Sequence, residues 1–162
     1  MISVLMPVYN TKPVFLRECI ESCLLQTIDN YEVIIVANES ENPETIRVLK
    51  EAQKDKKIKI FQCPRQKDKK NLSLALNYGL KKCKYNLVAR MDSDDIMFHD
   101  RLEKQYNHFL RNTSTDILGG QIKIIPTNHE TTHPLEITTQ IALSSCWFIN
   151  HPTVMFKKDK IL

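Results

Sequence analysis

The chain has 162 residues, of which 42% are hydrophobic and 26% are charged. This size suits one domain with a sizeable core, and the composition excludes disordered and fibrous classes of protein. The formal net charge of +4 is too small to indicate a nucleic-acid partner by itself.

Apolar runs predict the strands of the fold. In chain order they are "ISVLMPVYN" (2–10), "YEVIIVAN" (31–38), "IKIFQC" (58–63), "NLVARM" (86–91), "DILGGQIKII" (116–125) and "HPTVMF" (151–156). The third run alternates with charge, which favours an edge position in the sheet. The fifth contains Gly119 and Gly120, so a break or bulge is expected there.

Helical spacing of apolar residues predicts helices between these runs. They cover residues 15–26, a segment that starts at Pro43, and residues 71–83, 101–110 and 134–144. Asn42 is the expected N-cap before Pro43. The expected buried positions of that helix are Ile46, Leu49 and Ala52. In the next helix, one face is shared by Leu72, Ala75, Leu76, Leu80 and Cys83.

Strands that alternate with helices are typical of an α/β fold with a mostly parallel sheet. Ligands of such open sheets bind beyond the carboxyl ends of the strands. Three polar segments, "PVYN", "ANES" and "DSDD", come at the ends of predicted strands. We therefore expect one crevice to collect all three.

The segment "DSDD" places Asp92, Asp94 and Asp95 directly after an apolar strand. Crowded carboxylates raise one another's pKa, so this cluster requires a compensating charge. Asp92 and Asp94 alternate through Ser93 and can point at one centre. Mg²⁺ or Mn²⁺ would bind such carboxylates together with substrate phosphates, and would neutralise a diphosphate leaving group. Alternatively, Asp92 or Asp95 caps the next helix while the other charges face water.

The cysteines indicate a reducing compartment. There are five of them, Cys19, Cys23, Cys63, Cys83 and Cys146, and no C-x-x-C occurs. This pattern predicts neither a disulfide framework nor a zinc site, and Cys19 and Cys23 are interpreted as core residues. No signal sequence or membrane-spanning apolar run is recognised, so we expect a cytoplasmic protein. Peripheral contact with the membrane is left open.

Lysines concentrate in two runs, residues 54–59 and 67–70. Such runs usually form solvated loops, and the alternative is contact with anionic lipid or an anionic substrate. No aromatic residues are interleaved with them, which argues against nucleic-acid binding.

Several segments together resemble glycosyltransferase family 2. They are "MPVYN", "ALNYGLKKCKYNLVARMDSDDI", "RLEKQ" and "NHPTVMFKK", in this order along essentially the whole chain. The resemblance implies the GT-A fold, a Rossmann-like, mostly parallel sheet flanked by helices. It is strongest to the bacterial branch that builds capsules, lipopolysaccharides and exopolysaccharides. Residues 1–162 would form a single nucleotide-diphospho-sugar-binding domain, without the C-terminal acceptor part.

The resemblance also implies roles for individual residues. Pro7 and Tyr9 match the loop that lies along the base and ribose of the nucleotide. Asn38 stands where the family has an aspartate that reads uracil. Arg90 would face the nucleotide, and His151 would border the donor and acceptor sites.

Asp92-Ser93-Asp94 matches the D-x-D motif of the family. Asp94 would be the main ligand of Mn²⁺ or Mg²⁺, and Asp92 would lie near the ribose or the water shell of the metal. The expected donor site therefore consists of Pro7, Tyr9, Asn38, Arg90, Asp92, Ser93 and His151, with Asp94 and Asp92 at the metal.

Each assignment has a purely structural alternative. Pro7 ends a strand in that interpretation, and Tyr9 packs on the surface. Arg90 pairs only with the aspartates, and His151 is a hydrogen-bonded structural histidine.

The sequence departs from the family pattern in three places. "ANES" replaces an acidic pair, so Asn38 lacks the charge that favours uracil, and "KKNLSLALN" lacks the usual glycine. The acidic motif that supplies the general base is not found. Asp95 and Glu130 are the remaining candidates and neither matches the family, so the base is not identified.

The leading functional hypothesis is a metal-dependent, inverting sugar transfer. The donor would be a nucleotide diphosphate sugar, with UDP favoured, and the acceptor a surface glycan or a lipid-linked glycan. The alternative is a non-catalytic nucleotide-sugar-binding module, or an inactive fragment without the general base. A sugar nucleotidyltransferase is disfavoured, because "PVYNTKP" has no glycine to cradle a triphosphate.

Overall fold

The structure is a computed structural model that describes residues 1–38, 40–64, 71–144 and 148–161. Its strands are β1 (Ile2–Val8), β2 (Tyr31–Ala37), β3 (Ile58–Gln62), β4 (Leu87–Arg90), β5 (Ile117–Leu118), β6 (Lys123–Ile124), β7 (His129–Glu130) and β8 (Met155–Lys157). Its helices are α1 (Pro13–Leu24), α2 (Pro43–Ala52), α3 (Leu72–Leu80), α4 (Arg101–Arg111) and α5 (Thr139–Ser144). Short 3₁₀ turns span His151–Thr153 and Lys158–Lys160.

Six strands form one mixed sheet in the order β3-β2-β1-β4-β8-β5. Strands β1 to β4 are parallel, whereas β8 is antiparallel to both β4 and β5. Strands β6 and β7 form a separate antiparallel pair. The predicted α/β class and the edge position of β3 are confirmed.

The core lies on both faces of the sheet, because successive side chains of a strand point to opposite faces. One face of β1 and β2 packs with residues of α1, α2 and α4. The other face packs with α3. Cys19 and Cys23 of α1 are fully buried, which confirms that they are core residues. Every residue of β2 is buried, as expected for a strand covered on both sides.

The start of α2 is as predicted, but its buried face is not. The Asn42 side-chain oxygen accepts hydrogen bonds from the backbone N–H groups of Glu44 and Thr45, at 2.9 and 3.4 Å. Ile46, expected in the core, is 37% exposed, whereas Leu49 is buried. Thr45 and Val48 are also buried. Only a narrow stripe of this helix faces the sheet, and Ile46 lies at its margin.

Helix α3 is shorter than predicted. Asn71 is its N-cap and accepts a hydrogen bond from the N–H of Leu74 at 3.0 Å. The helix ends at Leu80, so Cys83 is buried just after it. Leu72, expected on the buried face, is 47% exposed. It lies in the first turn of the helix, directly after the N-cap.

The last third of the chain departs most from the prediction. The run "DILGGQIKII" is divided between β5 in the main sheet and β6 in the hairpin. The division falls at the predicted glycines, where the N–H of Gly120 donates to Thr153 Oγ1 at 2.8 Å.

Two further elements are shorter than predicted. "HPTVMF" forms a 3₁₀ turn before strand β8, so the predicted strand is wrong over its first half. Pro152 in that turn lacks the N–H that a central strand needs. Of the predicted helix over 134–144, only Thr139–Ser144 is helical.

Two predicted features lie outside the described residues: the lysine run at 67–70 and Cys146. The first lysine run joins α2 to β3, at the amino edge of the parallel strands. Among the helices that the structure describes, none has the length and apolar character needed to cross a bilayer.

Candidate functional site

Four chain segments meet at the carboxyl edge of the parallel strands. The neighbouring strands β2, β1 and β4 end there, and the antiparallel β8 begins there. The N–H of Asn38 donates to the carbonyl of Val8 at 2.8 Å, and the N–H of Arg90 donates to the carbonyl of Val154 at 2.8 Å. These hydrogen bonds hold the loops after β1 and β2 together, and β4 against the turn before β8.

A pocket of about 470 Å³ opens between these segments. All eight residues that the sequence predicts for the donor and metal sites line it: Pro7, Tyr9, Asn38, Arg90, Asp92, Ser93, Asp94 and His151. The lining also includes four residues that were not predicted: Val8, Thr11, Leu72 and Ala75. The carboxyl ends of adjacent parallel strands explain this convergence.

Asp92 is held on both oxygens. Arg90 donates from Nε and Nη2 to Asp92 Oδ1, at 3.2 and 3.1 Å. On the other side, His151 Nε2 lies 2.8 Å from Asp92 Oδ2. Because an ionised carboxylate only accepts hydrogen bonds, His151 is the donor in this contact, from Nε2, when Asp92 is ionised.

Ser93 joins the acidic turn to the loop after β1. Its side chain is buried, and its Oγ lies 2.6 Å from Thr11 Oγ1. Beneath the turn, Cys19 Sγ donates to the backbone carbonyl of Asp92 at 3.3 Å. The hydroxyl of Ser93 is therefore engaged within the protein, although the residue lines the pocket.

Asp94 and Asp95 contrast with Asp92. Both are exposed, and within the described ranges neither carboxylate forms a hydrogen bond or an ion pair. Desolvation of the Asp95 carboxyl by neighbouring protein atoms, followed by the charges of Asp92 and Asp94, raises the pKa of Asp95 above its usual value. His151 and Arg101 offset only part of that shift. The crowding expected from the sequence is therefore present and only partly compensated.

The donor set can hold a divalent cation only with help from a ligand. In the part of the chain that the structure describes, no group of three His, Cys, Asp or Glu side chains is arranged to hold a metal ion. The carboxylate of Asp94 has no partner among the residues that the structure describes, whereas both oxygens of Asp92 are engaged. Such a set suits a hard cation that takes most of its oxygens from phosphates and water.

The pocket has a second wall of neutral side chains. Pro7, Val8 and Tyr9 come from the end of β1 and the loop after it, and Leu72 and Ala75 come from the first two turns of α3. Sequence reasoning missed Leu72 and Ala75 as lining residues, because it assigned both to the buried face of a helix. It also missed Thr11, whose closeness to the recognised "PVYN" segment was the available signal.

The sequence profile described as Glycosyl transferase family 2 matches residues 3–160. The chain belongs to this family. It is 38% identical to the O-antigen biosynthesis glycosyltransferase WbnJ of Escherichia coli, over 100% of this chain and 63% of WbnJ. It is 31% identical to the UDP-Gal:alpha-D-GlcNAc-diphosphoundecaprenol beta-1,3-galactosyltransferase of Escherichia coli, over 99% of this chain and 59% of that protein. This family member thus spans about 60% of the length of these relatives.

The fold of this family 2 chain is that of solved glycosyltransferases. S. aureus TarS 1-349 in complex with UDP superposes with a TM-score of 0.75 at 20% identity, over 97% of this chain and 46% of that chain. The predicted GT-A fold is therefore confirmed. At this level of identity, the likeness extends to the fold alone.

Proposed function

We propose that this chain is the nucleotide-sugar-binding domain of a glycosyltransferase that builds a bacterial surface glycan. The donor is a nucleotide diphosphate sugar, with UDP as the favoured nucleotide, and the acceptor is a glycan or a lipid-linked glycan. The observation that carries the proposal is the pocket, because it joins a neutral wall to an acidic turn at the carboxyl edge of the sheet. The names of WbnJ and the galactosyltransferase, and the UDP bound to TarS, support the substrate classes.

The neutral wall suits the nucleoside. Pro7 and Tyr9 offer flat, partly exposed surface for the base and ribose. Asn38, at the end of β2, has an amide that both donates and accepts hydrogen bonds. Such a group can pair with the imide edge of uracil without carrying a charge. We therefore keep UDP as the favoured nucleotide, although the aspartate of the family pattern is replaced.

The acidic turn suits the diphosphate together with a divalent cation. Asp94 would hold Mn²⁺ or Mg²⁺, because its carboxylate has no partner within the described residues. Asp92 would remain held by Arg90 and His151 and contribute negative charge nearby. When bound, the cation would neutralise the charge that develops on the leaving diphosphate. Arg90 also lines the pocket, and its guanidinium would face the phosphates.

Inversion follows from a single displacement at the anomeric carbon. An acceptor hydroxyl oxygen would form the new bond to that carbon while the bond to the diphosphate breaks, and a base would take the hydroxyl proton. We assign no described residue to that base. Glu130, one of the two sequence candidates, lies exposed in the β6–β7 hairpin and does not line the pocket. Asp95, the other candidate, is not a lining residue either.

The first experiment is a calorimetric titration of UDP with and without Mn²⁺. We expect Mn²⁺-dependent binding that Asp94→Ala weakens by roughly a hundredfold, since even outer partners of a metal contribute about ten- to a hundredfold. Asp159→Ala is the matched control, because Asp159 is an exposed aspartate outside the pocket. Parallel titrations with GDP and CDP test the choice of base. Equal Mn²⁺-dependent affinity in wild type and Asp94→Ala would overturn the metal assignment.

A second measurement separates transfer from binding. UDP release from a UDP-sugar in the presence of a lipid-linked acceptor is expected of a transferase domain. Tight binding of the donor without UDP release would instead support the non-catalytic binding module.

A further inference from the structure

Two side chains of α4 form a layer beneath the pocket. Arg101 and Gln105 are one helical turn apart, and Arg101 Nε donates to Gln105 Oε1 at 3.1 Å. Gln105 is only 7% exposed, which is unusual for a glutamine. Burial also lowers the pKa of Arg101 to about 10. Polar groups are placed this deeply only when their hydrogen bonds are satisfied.

Each of these side chains donates to one backbone carbonyl. Arg101 Nη2 donates to the carbonyl of Arg90 at 2.9 Å, and Gln105 Nε2 donates to the carbonyl of Thr153 at 2.8 Å. Arg90 is two residues before Asp92 in the chain, and Thr153 is two residues after His151. Arg101 and Gln105 therefore bind the backbone of two segments, the one that contains Asp92 and the one that contains His151.

The two carbonyls need these donors. Strands β4 and β8 pair from Leu87 to Ala89, and the last hydrogen bond of this ladder joins Arg90 N–H to the carbonyl of Val154. Beyond it the ladder between β4 and β8 does not continue, and the carbonyls of Arg90 and Thr153 accept hydrogen bonds from α4 instead. A buried carbonyl without a donor costs free energy, so loss of a donor would let the peptide rotate toward water.

We propose that Arg101 and Gln105 are positioning residues that orient the Asp92–His151 pair for donor binding. They do so by holding the backbone on both sides of the Asp92–His151 contact, through hydrogen bonds to the carbonyls of Arg90 and Thr153. The inference rests on the proposed function, because it treats Asp92 and His151 as part of the donor site. A merely structural role would stabilise α4 without changing the state of the His151 ring.

The test is the ring ¹⁵N and ¹H resonances of His151 at a fixed pH, assigned by their loss in His151→Asn. Gln105→Glu keeps an acceptor for Arg101 but has no donor for Thr153, and Gln105→Met loses both hydrogen bonds. We expect both variants to move the His151 signals toward those of an imidazole without a fixed tautomer. Lys104→Gln is the control on the same helix, since Lys104 is exposed and pairs with Asp100.

A second measurement compares the UDP affinity of wild type and the Gln105 variants in the presence of Mn²⁺. We expect a loss on the order of tenfold in Gln105→Glu and Gln105→Met, as is typical of residues that support a binding group. Unchanged His151 signals in a folded Gln105 variant would overturn the proposal. If Gln105→Met does not fold, Gln105→Glu decides, because it retains a partner for Arg101. If wild type itself fails to bind UDP, the proposed function is contradicted, whereas the ring signals still test the positioning.

Discussion

Carboxylates at the amino ends of the parallel strands differ in their environment from carboxylates at the carboxyl ends. We call these two ends the amino edge and the carboxyl edge of the sheet. At the amino edge, Glu32 is 5% exposed and accepts hydrogen bonds from Ser3 Oγ, Lys59 Nζ and the N–H of Lys84, at 2.8, 2.8 and 2.7 Å. Burial alone would raise the pKa of Glu32, but these three donors outweigh it and hold the pKa below its usual value. This carboxylate therefore stabilises the fold.

At the carboxyl edge the balance is reversed. Three aspartates follow β4, and the pKa of Asp95 is raised rather than lowered. Asp92 has its donors, whereas Asp94 has none within the described residues. Glu32 thus has three donors where its carboxylate stabilises the fold. Asp94, where a cation is expected to bind, has none within the described residues.

The largest effect is expected at the amino edge. Glu32→Gln should lower the free energy of unfolding at pH 7 by about 2 kcal/mol, because the donors from Lys59 and Lys84 lose a charged acceptor. The contribution of a carboxylate with a lowered pKa is fully present above its ordinary value of about 4.3. It is lost as pH falls through the folded pKa, so the gap between wild type and variant should close in acid. Urea unfolding at a series of pH values measures it.

The control for Glu32→Gln is Glu51→Gln, since Glu51 pairs with Arg17 and Arg47 on the surface. Surface pairs contribute little, so this variant should unfold close to wild type. A Glu32 gap that does not narrow as the pH is lowered from about 4.3 would contradict the assignment of a charged, stabilising carboxylate.

An intermediate effect is expected at the link between Ser93 and Thr11. Ser93→Ala should cost about 1 kcal/mol of stability, because it removes the hydroxyl contact that ties the acidic turn to the loop after β1. If the pocket binds UDP, a similar loss in binding corresponds to roughly fivefold in affinity. Thermal unfolding and calorimetry measure the two quantities.

A double-mutant cycle sharpens this prediction. Thr11→Val removes the same hydrogen bond from the other side, so the double variant should cost little more than either single variant. Fully additive costs would show that Ser93 and Thr11 do not act through one contact.

The smallest effect is expected at Asp95. A carboxyl with a raised pKa binds its proton more tightly in the folded protein, so the ionised form opposes folding above the folded pKa. Asp95→Asn should therefore stabilise the protein at pH 7, by only a few tenths of a kcal/mol because the side chain is exposed. The gain should vanish as pH falls below about 3.9. Asp159→Asn is the control, and a destabilised Asp95→Asn at pH 7 would contradict the comparison.

The parallel half of the fold is readable from sequence because its central strands, β1 and β2, are buried on both faces. Continuous apolar runs mark β1 and β2, and Asn42 before Pro43 marks the start of α2. The strands of the last third are two or three residues long, and no periodicity is visible at that length. Their positions depend on hydrogen bonds such as that between Gly120 and Thr153, which join residues distant in the chain.

The candidate site follows the same division. Pro7, Asn38 and Asp92 meet because the ends of adjacent parallel strands must meet, and that rule needs only the sequence of strands. The layer of Arg101 and Gln105 was recognised only as part of the motif "RLEKQ". The role of these two side chains depends on which backbone carbonyls have no strand partner at the end of the β4–β8 ladder. The sequence does not reveal where that ladder ends. The roles of the predicted donor and metal residues stay predictions.

The reversed direction of β8 has a consequence for distance along the chain. Strand β8 begins beside the pocket, and its last residue, Lys157, pairs with Leu87, the first residue of β4. The chain therefore leaves the sheet at the amino ends of the parallel strands, opposite the pocket. The seven residues of β1 span about 23 Å at roughly 3.3 Å each, so the two edges are separated by about that length. For a residue that follows Lys157 to reach the pocket, the chain must return along the length of the parallel strands. In helical form that return would take about 15 residues.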